Sequence, residues 1–399
     1  MNNDFKNLPL KAELIKNLKE LDYNSMTPIQ AKSLPIVLEG KDIIAQAKTG
    51  SGKTAAFAIP VLEKIDLSSD KVQALVLAPS RELAKQVEVE IQKIGKHTDV
   101  KTLCIYGGTG YEKQIHSLRS SKPQVVVGTP GRVIDLIKKG NLKLNDTKIC
   151  VLDEADEMLN MGFFDDVQLI INKIKGPKQL MMFSATMPKQ IVKMIDKSFS
   201  KHQMVKIEKK TLSNEDIEQK YFVVRDKHFK EALARLVDDA KDLYAIVFCR
   251  TKIETKEVGD DLKKRGFLVE VLNGDMGQAE RDLAMTKFKK KKVDILVCTD
   301  VAARGIDVTN LSHVFNFGLP RDNESYVHRI GRTGRAGKKG CAYTIVGPNS
   351  AFAVGNIAAH IKTKITKEKL PSVEGLKRNL VNKELVSANQ ILEAITLKG

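Results

Sequence analysis

Short runs of apolar, β-branched residues recur along the chain with helical patterns between them, and this alternation constrains the fold more than any other feature. In the first half the runs are Asp42-Ile-Ile-Ala-Gln46, Gln73-Ala-Leu-Val-Leu77, Gln124-Val-Val-Val127, Lys148-Ile-Cys-Val-Leu152 and Leu180-Met-Met-Phe183. Nearly every position is apolar, which is how strands buried on both faces of a parallel sheet read. The pattern restarts with Tyr244-Ala-Ile-Val-Phe248, Leu268-Val-Glu-Val-Leu272, Asp294-Ile-Leu-Val-Cys298, His313-Val-Phe-Asn-Phe317 and Tyr343-Thr-Ile-Val346. Strand, helix, strand alternation predicts an α/β fold, here two tandem domains, each a mostly parallel sheet with helices on both faces.

At 399 residues the chain is long for a single domain, since domains usually take about 100 to 200 residues. The stretch 209–216 is polar, charged and without period, so it is expected to link a first domain, 1–208, to a second, 217–362. Residues 363–399 read as a basic helical tail, with Lys362, Lys364, Lys367 and Lys369 against the single acid Glu368 around its start. A formal charge of +17, from 66 Lys plus Arg against 49 Asp plus Glu, points to a polyanionic partner such as nucleic acid. With 42% hydrophobic residues the chain is neither disordered nor fibrous. No run approaches the roughly 20 apolar residues of a membrane span, and the start lacks the shape of a signal peptide, so the cytoplasm is the expected location. The five cysteines have no Cys-x-x-Cys pair and read as buried thiols.

The run Asp42 to Gln46 leads into Ala47-Lys48-Thr49-Gly50-Ser51-Gly52-Lys53-Thr54 and then into good helix formers. Strand, glycine-rich loop and helix in this order make a phosphate-binding loop. Backbone N–H groups face the phosphates, the helix N-terminus adds its dipole, Lys53 reaches the outer phosphates, and Thr54 can bind Mg²⁺. Ala47 stands where the general pattern has Gly. About one hundred residues on, the run Lys148 to Leu152 ends in Asp153-Glu154-Ala155-Asp156. Ligands of open parallel sheets sit outside the carboxyl ends of the strands, so loop and acids should face one crevice. One acid there can hold Mg²⁺ and another can orient or deprotonate an attacking water.

The tetrapeptide Asp153-Glu-Ala-Asp156 after such a loop resembles the signature of the DEAD-box ATP-dependent RNA helicases of superfamily 2, and the likeness spans nearly the whole chain. Tyr23 with Thr27-Pro-Ile-Gln30 is similar to the family's adenine-reading Q motif. Ser184-Ala185-Thr186 resembles the element that couples hydrolysis to strand separation. Further matches are Pro79-Ser-Arg81, Gly107-Gly108 and Thr129-Pro-Gly-Arg132, then Phe248-Cys-Arg250-Thr251, Gly274-Asp275, Thr299-Asp-Val-Ala-Ala-Arg304-Gly305-Ile-Asp307 and His328-Arg-Ile-Gly-Arg332-Thr-Gly-Arg335.

This resemblance implies two RecA-like domains that close around ATP and single-stranded RNA, with RNA-stimulated ATP hydrolysis and local unwinding of short duplexes or remodelling of RNA–protein complexes. ATP contacts would come from Tyr23 stacking on the base, Thr27, Gln30, the loop Ala47 to Thr54, Gly305 and Asp307. Lys53, Asp153, Glu154 as general base, and the arginine fingers Arg332 and Arg335 would be catalytic, with Thr54 and Asp153 holding Mg²⁺ partly through water. Asp156, Ser184, Thr186 and His328 would couple the domains. Pro79, Arg81, Gly108, Thr129, Arg132, Arg250, Thr251, Gly274 and Thr299 would grip the RNA backbone without reading sequence.

Some positions depart from the family pattern: Asp22 for Gly, Ser80 for Thr, Asn273 for His, and Gly318 where an acid usually precedes Leu-Pro. The stretches around Gln30 and Lys53, with Asn389-Gln-Ile-Leu-Glu-Ala-Ile-Thr396, look closest to the bacterial DbpA-like group, which suggests ribosomal RNA as target and a part in ribosome assembly. A monomer is expected. Two other classes compete: a clamp that holds ATP and RNA without turnover, and a DNA-directed helicase of the wider superfamily. Intact Glu154, Arg332 and Arg335 favour the enzyme over the clamp, and the Q motif with the acidic tetrapeptide favours RNA over DNA.

Overall fold

The computed structural model describes residues 3–47, 50–176, 178–199, 201–207, 216–303, 308, 311–334, 339–372 and 374–375. They fall into two compact units, one before and one after residues 208–215. The expected linker therefore lies, but for Asp216, outside the described residues.

In the first unit the strands are β1 (Asp42–Gln46), β2 (Ala74–Leu77), β3 (Thr102–Ile105), β4 (Val125–Gly128), β5 (Ile149–Leu152), β6 (Gln179–Ser184) and β7 (His202–Lys206). They form one sheet in the order β3-β4-β2-β5-β6-β1-β7, and every pairing is parallel. In the second unit they are β8 (Ile217–Val223), β9 (Ala245–Cys249), β10 (Val269–Leu272), β11 (Ile295–Thr299), β12 (His313–Phe317), β13 (Gly340–Val346) and β14 (Thr366–Glu368). Their order is β10-β11-β9-β12-β13-β8-β14, again all parallel. Adding seven to each label of the first sheet gives the second, so one topology occurs twice.

Because side chains alternate across a strand, the strands β1, β2, β4, β5 and β6 of the first sheet each feed two cores. Ile43, Val76, Val127, Val151 and Phe183 pack under the helices Pro28–Leu38, Lys53–Lys64 and Arg81–Ile94. Ile44, Leu75, Val126, Leu152 and Met182 pack under Pro130–Lys138, Phe164–Lys173 and Lys189–Ser198 on the other face. In the second unit Val247 and Phe315 join the helices Phe229–Asp239 and Lys252–Lys264 in one core, and Ala342 and Val346 join Asn323–Ile330 and Phe352–Ile361 in another. The described part of the expected helical tail differs: Thr366–Glu368 is β14, paired with β8, whose outer edge would otherwise leave its backbone groups without sheet partners. Cys150, Cys249 and Cys298 are buried as expected, whereas Cys104 and Cys341 are half-buried. Among the described residues no helix is long and apolar enough to cross a membrane.

Close packing at strand ends leaves its own mark at Gly128, where a Cβ would lie 2.7 Å from the carbonyl oxygen of Ile105 and 2.8 Å from Val133. Backbone on one side and helix on the other leave little room to relax. Gly128→Ala is expected to lower stability by about 1 to 3 kcal/mol in chemical denaturation; an unchanged midpoint would mean that the strand ends are looser than this packing implies.

Candidate functional site

Parallel strands place their carboxyl ends on one side of a sheet. In the first unit the contiguous strands β5, β6 and β1 bring the acidic tetrapeptide, Ser184 and the phosphate loop to that side together. Ala47 N donates to the Ser184 carbonyl at 3.0 Å, joining loop and β6. Gly50 and Gly52 have φ of 77° and 90°, a region that side chains disfavour. At Gly52 a Cβ would also lie 2.7 Å from Gln30 Nε2 and 2.9 Å from Thr27 Oγ1. The chain passes this close because buried Gln30 bridges the two segments: its Oε1 accepts from Thr27 N at 2.8 Å, and its Nε2 donates to the Gly52 carbonyl at 3.1 Å. The segment expected to read a base is thus fastened to the loop expected to hold phosphates. Asp22, just before Tyr23, sits at φ 57°, which explains why glycine suits that position.

Lys53 is 6% exposed, and its Nζ has no hydrogen-bond partner among the described residues. Asp153 lies close enough to feel its charge. Burial pushes the Asp153 carboxyl up to about 6, against the pull of the Lys53 ammonium, and the Glu154 charge adds to the rise. Glu154 caps the helix Ala155–Asn160 at φ 50°, a strained conformation for a residue with a side chain, and is only half-buried. Asp156 turns the other way. Its Oδ2 accepts from Thr186 N at 2.8 Å, Thr186 Oγ1 at 2.9 Å and Ala185 N at 3.2 Å. Its own N donates to Ser184 Oγ at 3.2 Å, and Ser184 Oγ donates to the Thr186 carbonyl at 2.7 Å. Three of the four residues expected to act in coupling therefore form one network, with Asp156 and Ser184 buried and Thr186 half-buried.

The other half of the same edge, β3-β4-β2, carries the first unit's RNA candidates. Arg81 opens the helix after β2, and its guanidinium lies over Gly108, where a Cβ would come within 2.6 Å of Arg81 Cζ. Ser80 caps that helix by accepting from Leu83 N at 3.2 Å, so its departure from the family's Thr keeps the capping oxygen. Pro79 and Thr129 are buried beside strand ends. Arg132 donates to Gln114 Oε1 at 2.8 Å and lies 5.2 Å from the Tyr111 ring centre. Gln114 in turn donates to the Tyr106 carbonyl at 2.9 Å and to Thr109 Oγ1 at 2.6 Å, tying Arg132 to the glycine loop. Sequence reasoning missed Gln114.

The second unit repeats the arrangement on β10-β11-β9: Gly274 follows β10, Thr299 ends β11, and Arg250 and Thr251 follow β9. Arg250 pairs with Glu254 at 2.5 Å, and Thr251 Oγ1 accepts from Glu254 N at 3.1 Å. Gly318 has φ 88°, and a Cβ there would lie 3.1 Å from Arg250 Nε, so the missing acid of the family pattern falls beside Arg250. Arg332 and His328 are half-buried. Lys48, Thr49, Gly305, Asp307 and Arg335 lie outside the described residues. Between these motifs stands a group the sequence did not announce: Arg329, 1% exposed, donates to both Asp300 oxygens at 2.6 and 2.7 Å and to Asn316 Oδ1 at 3.2 Å. This bidentate pair fixes the helix before Arg332 to the end of β11.

Comparison with known proteins bears on the same residues. Residues 27–195 match the family described as DEAD/DEAH box helicase, and 228–337 match the helicase conserved C-terminal domain. The DEAD-box ATP-dependent RNA helicase CshA of Geobacillus kaustophilus is 45% identical over 385 residues, 96% of this chain and 82% of that protein. Among solved structures, Saccharomyces cerevisiae Dbp5 bound to RNA and ADP BeF3 is 31% identical with a TM-score of 0.84, covering 95% of this chain and 99% of its own. A DEAD box protein from Methanococcus jannaschii is 42% identical with a TM-score of 0.53, covering 92% and 99%.

The raised carboxyl of Asp153 makes a pH prediction. Folded, it holds its proton up to about 6, against an ordinary 3.8. Its contribution to stability is therefore full below about pH 4 and is lost as pH rises through 6. Asp153→Asn should make the nucleotide-free protein more stable at pH 8, by about 2 to 3 kcal/mol, with a smaller gain at pH 5, while abolishing ATP turnover. Denaturation curves at the two pH values check this; equal gains would refute the burial argument.

Proposed function

The chain belongs to the DEAD-box ATP-dependent RNA helicases, and from that premise we propose that it is an RNA-stimulated ATP hydrolase that unwinds short RNA duplexes by closing its two units on single-stranded RNA. The observation that carries this reading is the buried ammonium of Lys53, which has no hydrogen-bond partner among the described residues. A buried cation without a partner is costly, so it marks a place kept for an anion. Beside it, glycine-rich backbone and a helix N-terminus suit a triphosphate.

In this mechanism Tyr23, Thr27 and Gln30 hold adenine, while the loop from Ala47 to Thr54, with Gly305 and Asp307, holds phosphates and ribose. The Thr54 hydroxyl and the Asp153 carboxylate are hard oxygen donors that fit Mg²⁺, partly through water. That ion would neutralise charge on the phosphate oxygens. Glu154, half-buried on a left-handed backbone, takes the proton of the attacking water. Arg332 and Arg335 arrive from the second unit at the transition state, a contribution on the order of 10³ to 10⁵ in rate.

Pro79, Arg81, Gly108, Thr129 and Arg132 of the first unit, with Arg250, Thr251, Gly274 and Thr299 of the second, grip the sugar-phosphate backbone. Such contacts tolerate any sequence and weaken with salt. The network of Asp156, Ser184 and Thr186, joined by His328 on closure, would tie hydrolysis to the grip on RNA. A strand bent between the units cannot stay in a duplex, which is the proposed source of unwinding. The protein would act as a cytoplasmic monomer. Ribosomal RNA is the target suggested by the likeness to the DbpA-like group, and equal affinity for a ribosomal hairpin and random RNA would contradict it.

ATP turnover measured without nucleic acid, with single-stranded RNA, with duplex RNA and with matching DNA tests the assignment. RNA should stimulate and DNA should not; stimulation by neither would favour a clamp. Glu154→Gln should cut RNA-stimulated turnover by about 10² to 10⁴ while leaving ATP and RNA binding in place. Turnover unaffected by that change would remove Glu154 as the base.

A further inference from the structure

Three contacts place Tyr23. Its backbone N donates to the Leu18 carbonyl at 2.9 Å, fixing where the side chain starts. Phe5 meets the ring edge-on, with centroids 5.9 Å apart and planes at 67°. The third contact is less ordinary: the phenol donates to Glu90 Oε1 at 2.8 Å, across 67 residues of sequence. Glu90 stands on the helix Arg81–Ile94, and its side chain is 30% exposed. Its other oxygen, Oε2, lies 3.8 Å from Lys93 Nζ, so the carboxylate is steadied from its own helix. Burial and the Glu90 charge both push the Tyr23 phenol upward, which keeps it a proton donor throughout the working pH range.

We propose that Glu90 is a positioning residue for the nucleotide base: by accepting the hydrogen bond of the Tyr23 phenol it anchors the far end of the ring on which the base stacks. The inference rests on the reading of Tyr23 as the base platform. A tyrosine whose backbone is fixed still swings about its Cα–Cβ bond, and a stacking partner gains affinity when that swing is already restricted. A hydrogen bond at the far end of the ring does this with one contact. It is available only because the residue is tyrosine; phenylalanine would leave Glu90 without this partner. The action is on ground-state binding, so it should appear in nucleotide affinity and not in the turnover of the bound complex.

The test is ADP affinity by calorimetry on the full chain, with KM and kcat for ATP at saturating RNA. Tyr23→Phe and Glu90→Ala should each weaken ADP binding by about three- to tenfold, and the double variant should be no weaker than either single one. Glu90→Ala should also raise KM for ATP and leave kcat unchanged. Glu90→Gln, which keeps a carbonyl acceptor but not the charge near Lys93, should recover most of the affinity. Tyr23→Ala separates the two levels. If it loses affinity while Glu90→Ala binds like the parent protein, or if the two single effects simply add, the role given to Glu90 is wrong. If Tyr23→Ala itself binds ADP unchanged, the platform reading fails first.

Discussion

In an all-parallel sheet every strand ends on the same side, and this geometric constraint sorts all the chemistry of the chain. Fourteen described strands in two sheets of identical order deliver their loops to two such edges. In the first unit the edge divides cleanly: β5-β6-β1 carries the phosphate loop, the acids and the Ser184 network, and β3-β4-β2 carries Arg81, Gly108, Thr129 and Arg132. The second unit repeats the latter half with Arg250, Thr251, Gly274 and Thr299 on β10-β11-β9. It does not repeat the former. The strand equivalent to β1 is β8, which runs into Val224-Arg225-Asp226 without a glycine-rich loop. A duplicated scaffold with one phosphate loop is what makes a shared nucleotide the natural reading.

The two halves of the first edge differ in energetic character. On the half proposed to hold the nucleotide, Lys53 is buried without a hydrogen-bond partner among the described residues, Asp153 is buried with its carboxyl pushed up, and Glu154 occupies a strained backbone region. Each costs stability when the protein is alone. On the half proposed to meet RNA, Arg132 is braced by Gln114, and Thr129 is buried at the start of a helix. The strain is thus concentrated around the residues proposed to handle the nucleotide, and the residues proposed to grip RNA are the more settled. Asp156 lies beside the strained group yet is tied to Ser184 and Thr186, a sensible place to pass a change in the one to the rest of the unit.

Central strands were legible in the sequence to within about a residue at most ends, because burial on both faces leaves an unbroken apolar run. The strands that were not, β3, β7, β8 and β14, lie at or next to a sheet edge, although the edge strand β10 was. β7 reads His-Gln-Met-Val-Lys and β8 alternates Ile-Glu-Gln-Lys-Tyr-Phe-Val, since one face or one edge meets water. β14, three residues among lysines, carries no strand signal at all. The site divides similarly. Groups contiguous in sequence, such as the loop ending in Lys53 or the tetrapeptide from Asp153, announced themselves through residue type and order. Groups joined across the fold did not. Gln30 to Gly52, Arg132 to Gln114, Tyr23 to Glu90, and Arg329 to Asp300 and Asn316 are pairings of ordinary residues. Spacing alone says nothing about which of them touch.

The central claim is that one nucleotide and one RNA strand together draw the two units into a single assembled site. Energy transfer between dyes placed on exposed positions of each unit tests it directly, with the protein alone, with a non-hydrolysable ATP analogue, with single-stranded RNA, and with both. The account requires the separation to shorten markedly only when both ligands are present. A separation unchanged across all four conditions would contradict it.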